Sequence, residues 1–173
     1  MKNLKFKEPI FVTRPLLPPI ELYREKLNEI WNNKWITNYG PLERELQSKL
    51  KDFLDVENIE LFVNGHSSLE VAIKSLELTG EVITTPFTFA STTQAIINNG
   101  LTPVFADVDE EYYNLNPDNI EDLITDKTSA IIPVHVFGNP CEVEKIAEIA
   151  KKYDLKLFMM QHMHLELKLM EFQ

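Results

Sequence analysis

Two patterns of apolar residues divide the chain. Ile20, Tyr23, Leu27 and Ile30 fall on one face at helical spacing, and after a loop over residues 36–41 so do Leu42, Leu46, Leu50 and Phe53. Glu43, Arg44, Lys49 and Lys51 take the outer face of the second stretch, which opens on Pro41, a residue suited to the first helical position. Both stretches predict amphipathic packing helices. From Ile59 onward, short apolar runs alternate with helical spacing. Strands are predicted over residues 59–63, 82–85, 102–107, 129–136 and 155–158. The helices between them carry Leu69, Ile73 and Leu76, run from near Phe89 to Gly100, run from Asn116-Pro117 to before Thr128, and cover residues 142–152. The run 129–136 is almost continuously apolar, as expected of a strand covered on both faces. The repeated strand–helix order implies an α/β fold with a mostly parallel sheet and flanking helices. Upstream, Pro9, Pro15, Pro18 and Pro19 forbid a long helix, so residues 1–18 read as an extended arm.

Candidate chemistry gathers at two strand-to-helix turns. Within 81–100 a strand breaks at Pro86, and the turn crowds Thr84, Thr85, Phe87, Thr88, Phe89, Ser91, Thr92 and Thr93 together. Such a turn lies at the carboxyl ends of the strands, where open α/β sheets bind ligands. A ring that can stack, beside hydroxyls and helix N–H groups, suits a planar anionic cofactor. An ordinary turn with a packed Phe and capping threonines uses the same residues. The second turn, Asn64-Gly65-His66-Ser67-Ser68, fits a phosphate cradle or a plainly capped helix. No G-x-G-x-x-G follows a strand and no Walker A lysine motif is present, which argues against nucleotide-binding folds. His66 and His135 stand too far apart from other ligand types to suggest a metal, and Asp107 and Asp109 read as paired carboxylates or as turn caps.

Composition narrows the field. The 173 residues carry a net charge of −10, which argues against a nucleic-acid partner. No apolar run reaches 18 residues, so no membrane span is expected. The start MKNLKFKEPIF lacks the apolar stretch of a signal peptide, and the single cysteine, Cys141, allows no internal disulfide and no cysteine-rich metal site. A cytoplasmic setting is the expectation.

Taken in combination, the runs WITNYGP (Trp35 to Pro41), FVNGHSSLEVAI (Phe62 to Ile73), ITTPFTFASTTQAI (Ile83 to Ile96), PVFADVD (Pro103 to Asp109) and IIPVHVFGNPCEVEKIAEIAKKYDLKL (Ile131 to Leu157) resemble the DegT/DnrJ/EryC1/StrS family. These are sugar aminotransferases using pyridoxal phosphate (PLP) on the fold-type I, aspartate-aminotransferase-like fold. The resemblance implies that residues 19–157 are the N-terminal part of the PLP-binding large domain. It implies that Phe89 stacks on the cofactor ring and that Gly65, His66 and Ser67 hold its phosphate, although many members have Thr at the position of His66. Gly40 and Pro41 match a loop that lines the substrate site. The implied reaction moves an amino group from glutamate to a dTDP-4-keto-6-deoxyhexose or another nucleotide-linked keto sugar, for surface polysaccharide synthesis, in a homodimer. No metal is implied.

After Leu157 the resemblance stops. The family continues with a strand ending like Tyr-Asp-Ala-Ala-His-Ala-Phe-Gly, whose Asp pairs with the pyridinium nitrogen. This chain reads Phe158, Met159, Met160, Gln161, His162, Met163, His164. Those residues are encoded by TTY ATG ATG CAR CAY ATG CAY. Read from the third base of the Phe codon, the string becomes YAT GAT GCA RCA YAT GCA: Tyr or His, Asp, Ala, Ala or Thr, Tyr or His, Ala. The family motif lies in the other frame. The expectation is a one-base frameshift near codon 158 and an out-of-frame tail over 158–173. Lys156 and Lys168 do not fit the family's Schiff-base lysine motif, so no catalytic residue is assigned. The chain as written is expected to be inactive and poorly soluble, and the alternative is a truncated product or binding module without enzymatic activity.

Overall fold

The computed structural model describes residue 11 and residues 14–161. Expectations for most of the arm and for residues 162–173 of the tail lie outside them. The chain divides into two compact units, Met1–Leu50 and Lys51–Gln173.

The first unit holds helix α1 (Ile20–Asn33) and most of helix α2 (Pro41–Leu54). Both predicted helices form, but neither buries a residue, and Ile20, Tyr23, Leu46 and Phe53 of the expected packing faces stay exposed. Helix α1 ends where Lys34 turns left-handed, its N–H donating to the Ile30 carbonyl at 2.8 Å. Glu45 on α2 accepts from Lys26 on α1 at 2.8 Å and from Lys49 at 2.6 Å. The Lys26 and Lys49 ammonium groups hold its carboxyl down at about 2. Between the helices Trp35 stacks under the Arg44 guanidinium, 5.4 Å from the ring centre. Gly40 is buried and Pro41 starts α2.

The second unit opens with helix α3 (Gly65–Ser75). It continues through strand β1 (Glu81–Thr84), helix α4 (Ser91–Asn98), strand β2 (Thr102–Phe105), strands β3 (Thr128–Ile132) and β4 (Val134–His135), helix α5 (Val143–Lys152), and strands β5 (Lys156–Leu157) and β6 (Met160–Gln161). The four-stranded sheet has the order β2-β1-β3-β5 and every pair is parallel. Alternate residues of the central strands face opposite layers. Val82, Ala130 and Ile132 pack with Leu69 and Ile73 of α3 and Ala95 and Ile96 of α4, whereas Ile83 and Ile131 pack with Ile146 and Ala150 of α5. Helices therefore cover both faces, which is why these strands read as apolar runs rather than as alternating ones.

Pro133 interrupts the long run 128–135 because it has no N–H to give to the ladder. Pairing resumes beyond it, since Phe158 donates to the Ile131 carbonyl at 3.1 Å and Met160 to the Pro133 carbonyl at 2.9 Å. The β4–β6 pair thus prolongs β3 and β5. Helix α4 closes as the sequence predicts: Gly100 adopts φ +76°, Leu101 donates to the Ile96 carbonyl at 3.2 Å and Gly100 to that of Ile97 at 2.9 Å.

Two expectations need correction. Among the described residues no strand forms over 59–63; its apolar alternation is present, but a strand also requires a ladder partner. The helix expected after Asn116 is two short 3-10 turns, Pro117–Asn119 and Glu121–Leu123. Asn116 does cap, accepting from the Asp118 N–H at 3.0 Å. Pro117, Ile120 and Leu123 recur every third residue, and Ile120 is fully buried, so the period of the buried side matches a 3-10 turn.

Candidate functional site

The strand order locates the site. From β1 the chain passes through α4 to β2 on one side, and it later returns to lay β3 against the other side of β1. The helices that follow β1 and β3, α4 and α5, lie on opposite faces. The carboxyl ends of β1 and β3 therefore flank a topological switch point, where chain segments diverge and leave a crevice. A cavity of about 430 Å³ occupies that crevice, lined by residues 86–89 after β1 and 134–137 after β3.

Local chemistry shapes each wall. Thr84 Oγ1 donates to the Ile132 carbonyl at 2.8 Å, tying the two strands together just below the opening. Thr85 Oγ1 then accepts the Phe87 N–H at 3.1 Å and bends the chain at Pro86. The Thr88 and Thr92 hydroxyls are paired at 2.9 Å, fixing the turn to the first turn of α4. Phe89 is 70% exposed beside the crevice. On the other wall Phe137 adopts a left-handed backbone, φ +51°, and its ring meets Phe87 edge-on at 6.1 Å; Phe87 also meets Tyr113 at 5.6 Å.

One buried amide clamps this second wall. Asn114 Oδ1 accepts the Val136 N–H at 2.9 Å, and Nδ2 donates to the carbonyls of Asn139 at 3.3 Å and Pro140 at 3.1 Å. Nearby, Cys141 N–H donates to His135 Nδ1 at 3.0 Å, and Cys141 Sγ lies 3.2 Å from the Val134 carbonyl. Burial pushes the His135 imidazole below its usual range and the Cys141 thiol up to about 12, so this cysteine is a packing group rather than a nucleophile.

The second predicted turn lies at the same end of the sheet. The carboxyl ends of α3 and α4 meet across Ile73, Lys74, Asn98 and Asn99, so the two helices run side by side and their N-termini share the opposite end, where β1 opens. Asn64 Oδ1 accepts the Ser67 N–H at 2.9 Å and the Asn64 carbonyl accepts from Ser68 at 3.3 Å. The Gly65 and His66 N–H groups, first in the helix, point out of its end without an intrahelical acceptor. A Cβ on Gly65 would meet nothing within 4 Å, so the end of the helix is open. His66 Nε2 is 3.4 Å from Glu70, and His66 Nδ1 is a buried atom with no partner among the described residues.

Phe89, Gly65, His66 and Ser67 therefore share one edge of the second unit. Gly40 and Pro41 belong to the first unit, at the start of α2. Asp109 is a turn cap rather than half of a carboxylate pair: it accepts N–H groups from Glu111, Tyr112 and Asn114, with the Tyr112 N–H chiefly lowering its carboxyl. Asp107 accepts the Val108 N–H. No group of three or more metal-ligating side chains occurs among the described residues. Asn114 carries no local pattern that would single it out, because its partners lie 22 to 26 residues away.

An open parallel sheet, wrapped on both faces and carrying an apolar crevice at its switch point, is the arrangement in which α/β folds place ligands. Residues 20–159 match the model of the DegT/DnrJ/EryC1/StrS aminotransferase family, and the chain belongs to that family. It is 51% identical over 146 residues to a dTDP-4-amino-4,6-dideoxy-D-glucose transaminase of Escherichia coli, covering 84% of this chain and 39% of that protein. It is 34% identical over 134 residues to a GDP-perosamine synthase of Escherichia coli O157:H7, covering 76% of this chain and 37% of that one. Among solved structures, DesI in the presence of its TDP-sugar product superposes with a TM-score of 0.82 at 34% identity, over 89% of this chain and 39% of DesI. NtdA from Bacillus subtilis with bound cofactor PMP gives 0.81 at 26% identity, over 92% and 38%. The fold is thus part of the fold-type I aminotransferase large domain. The chain spans about two fifths of the length of these relatives. Among the described residues no helix is long and apolar enough to cross a membrane.

Proposed function

We propose that residues 19–157 are the N-terminal part of the cofactor-binding domain of a PLP-dependent aminotransferase. The intact enzyme would act on a dTDP-4-keto-6-deoxyhexose or a related nucleotide-linked keto sugar, with glutamate as amino donor. The observation that carries this reading is the shared edge: an apolar crevice with Phe89 at its mouth, and an open helix N-terminus at the same end of the sheet. The residues present fit the cofactor. The N–H groups of Gly65 and His66 and the Ser67 hydroxyl offer donors to a phosphate, with the helix dipole behind them. His66 brings an imidazole whose Nδ1 still lacks a partner among the described residues. Phe89 offers a face to a planar ring, and Phe87 and Phe137 keep the crevice apolar and exclude water. When bound, pyridoxal phosphate supplies the electron sink through which an amino group passes between two substrates. Gly40 and Pro41 would line the sugar site, and a homodimer is the expected assembly.

Residues 158–173 are read here as an out-of-frame tail. Codon arithmetic supports this, because three methionine codons force Asp and two alanines in the alternative frame. The family match ending at residue 159 agrees with it. The β6 strand is no objection: a ladder uses backbone N–H and C=O groups, which any sequence supplies. In this reading residues 158–173 do not carry the acid that would partner the ring nitrogen, which the alternative frame encodes. Sequencing the DNA through codons 150–175 and onward tests it. An open alternative frame reaching a downstream lysine is expected, and the frame-restored protein should move nitrogen from glutamate to the keto sugar. If that frame closes at once, the out-of-frame reading falls, and the second reading stands: a binding module without enzymatic activity.

A further inference from the structure

Lys34, Asp55, Glu77 and Asp154 turn left-handed within two residues of the ends of α1, α2, α3 and α5, where such a residue closes a helix. Tyr113 and Phe137 are left-handed with no α-helix to close, at φ +61° and +51°. Both are bulky L-residues, for which this backbone is strained. Gly138 takes φ +80°, so the bend beside Phe137 already has a glycine of its own. Burial offsets little of the strain, since the two residues are 48% and 68% exposed. Both rings rest near Phe87, at 5.6 and 6.1 Å between centres, and Phe137 lines the crevice.

One buried side chain lies beside both. Asn114 follows Tyr113 directly, and its N–H donates to the Asp109 carboxylate at 3.0 Å. Its amide is tied to Val136 on one side of Phe137 and to Asn139 and Pro140 on the other. The Asn139 N–H donates to the Val136 carbonyl at 2.9 Å and closes the loop around Phe137. An exposed aromatic residue held in a strained conformation by a buried amide points to binding rather than to packing.

We propose that Asn114 is a positioning residue of the crevice: it acts through Phe137, holding that ring as a wall against which the ligand packs. The identity of the ligand rests on the cofactor reading above; the held conformation rests on this chain's geometry alone.

Two measurements on the full chain test it. Backbone NMR couplings and 13C shifts read φ without ligand. Left-handed values are expected at Tyr113 and Phe137, and Asn114→Ala should return Phe137 to negative φ while residues 81–84 keep their shifts. Negative φ at Phe137 in the unaltered chain, or a left-handed Phe137 that survives in the variant, overturns the proposal. Pyridoxine 5′-phosphate, which has no aldehyde to react with surface lysines, then probes the crevice by calorimetry. Asn114→Ala and Phe137→Gly should each weaken it about fivefold, and the double variant no further, because one residue acts through the other. Additive losses overturn the positioning role. Phe137→Gly reads the wall by itself if Asn114→Ala does not fold. Glycine takes φ +51° freely, so the urea midpoint should hold or rise while binding weakens. A lower midpoint or unchanged binding overturns the proposal. If the unaltered chain is left-handed at both residues but binds no probe, the cofactor reading falls, and the ligand contact of Phe137 falls with it.

Discussion

The two ends of the central sheet are built to opposite rules. At the amino end backbone meets backbone with no room to spare. Gly80 enters β1 at φ +73°, and a Cβ there would lie 2.3 Å from the Lys127 carbonyl oxygen. Glu81 donates to that same carbonyl at 2.9 Å, Thr102 to the Gly80 carbonyl at 2.9 Å, and Thr125 to the Glu81 carboxylate at 2.6 Å. At the carboxyl end the strands part, prolines 86 and 133 remove ladder donors, and Phe89 and Phe137 stand 70% and 68% exposed. Rings this exposed bury little apolar area for the fold. The comparison teaches that stability is concentrated at the closed end, and that the open end is free to be shaped for a ligand.

Breaking the closed end should have the largest effect. Gly80→Ala adds a Cβ against a backbone oxygen and forces an L-residue into left-handed geometry. A loss of about 3 kcal/mol or more is expected, read as a lowered urea midpoint with the slope unchanged. A loss below about 1 kcal/mol would show that the amino end yields easily and would erase the contrast.

The next test moves to the open end, where Asn114 ties residue 136 to residues 139 and 140. Asn114→Ala leaves the Val136 N–H and the Asn139 and Pro140 carbonyls without their side-chain partner. About 2 kcal/mol should be lost. Amide hydrogen exchange should rise around residues 134–141 and stay unchanged at residues 81–84. Uniform acceleration would mean that the two ends are not separable.

These two positions also show what the sequence could and could not reveal. Gly80 and Gly100 were legible as stops, because a positive φ at the end of a unit favours glycine locally. The parallel sheet and its helices were legible from the apolar runs, and the crevice from Pro86 followed by aromatic and hydroxyl side chains. Residues 59–63 were misread since alternation reports one strand and not its neighbour. The 3-10 turns at Pro117 were hidden because Asn-Pro starts either kind of helix, and only burial picks out the three-residue period. Asn114 carried no signal at all: it sits between Tyr113 and Leu115 in a loop, and its importance lies wholly in partners distant along the chain. His135 looked solitary for the same reason, although Cys141 is only six residues on.

A smaller effect comes with acid. His135 is held neutral by burial, so its folded pKa lies below the ordinary 6.5. The unfolded chain then binds a proton that the folded one refuses. Its contribution is intact above about pH 6.5 and is lost as the pH falls through the lower folded value. Chemical denaturation between pH 8 and 5 should show stability falling toward acid, and His135→Phe should flatten the slope. Asp109 and Glu121, held low chiefly by the Tyr112 N–H and by Lys152, act only once the pH falls below about 4. The two sources are therefore separable by pH.

The smallest expected change in stability is the sharpest test of the comparison. Phe89 is a large aromatic residue, yet it is 70% exposed at the mouth of the crevice. Removing a buried Phe costs about 3–5 kcal/mol because a packed cavity is left behind. Phe89→Ala leaves most of the ring's surroundings unchanged, and a loss under about 1 kcal/mol is expected. Ligand binding should respond in the opposite proportion. Loss of one stacking face predicts about tenfold weaker binding of pyridoxine 5′-phosphate, measured by fluorescence or calorimetry. Ile83→Ala, in the core beneath the same strand end, should reverse the ranking, with a large loss of stability. If Phe89→Ala instead unfolds the chain, its ring belongs to the fold, and the open end is not the place where stability gives way to binding.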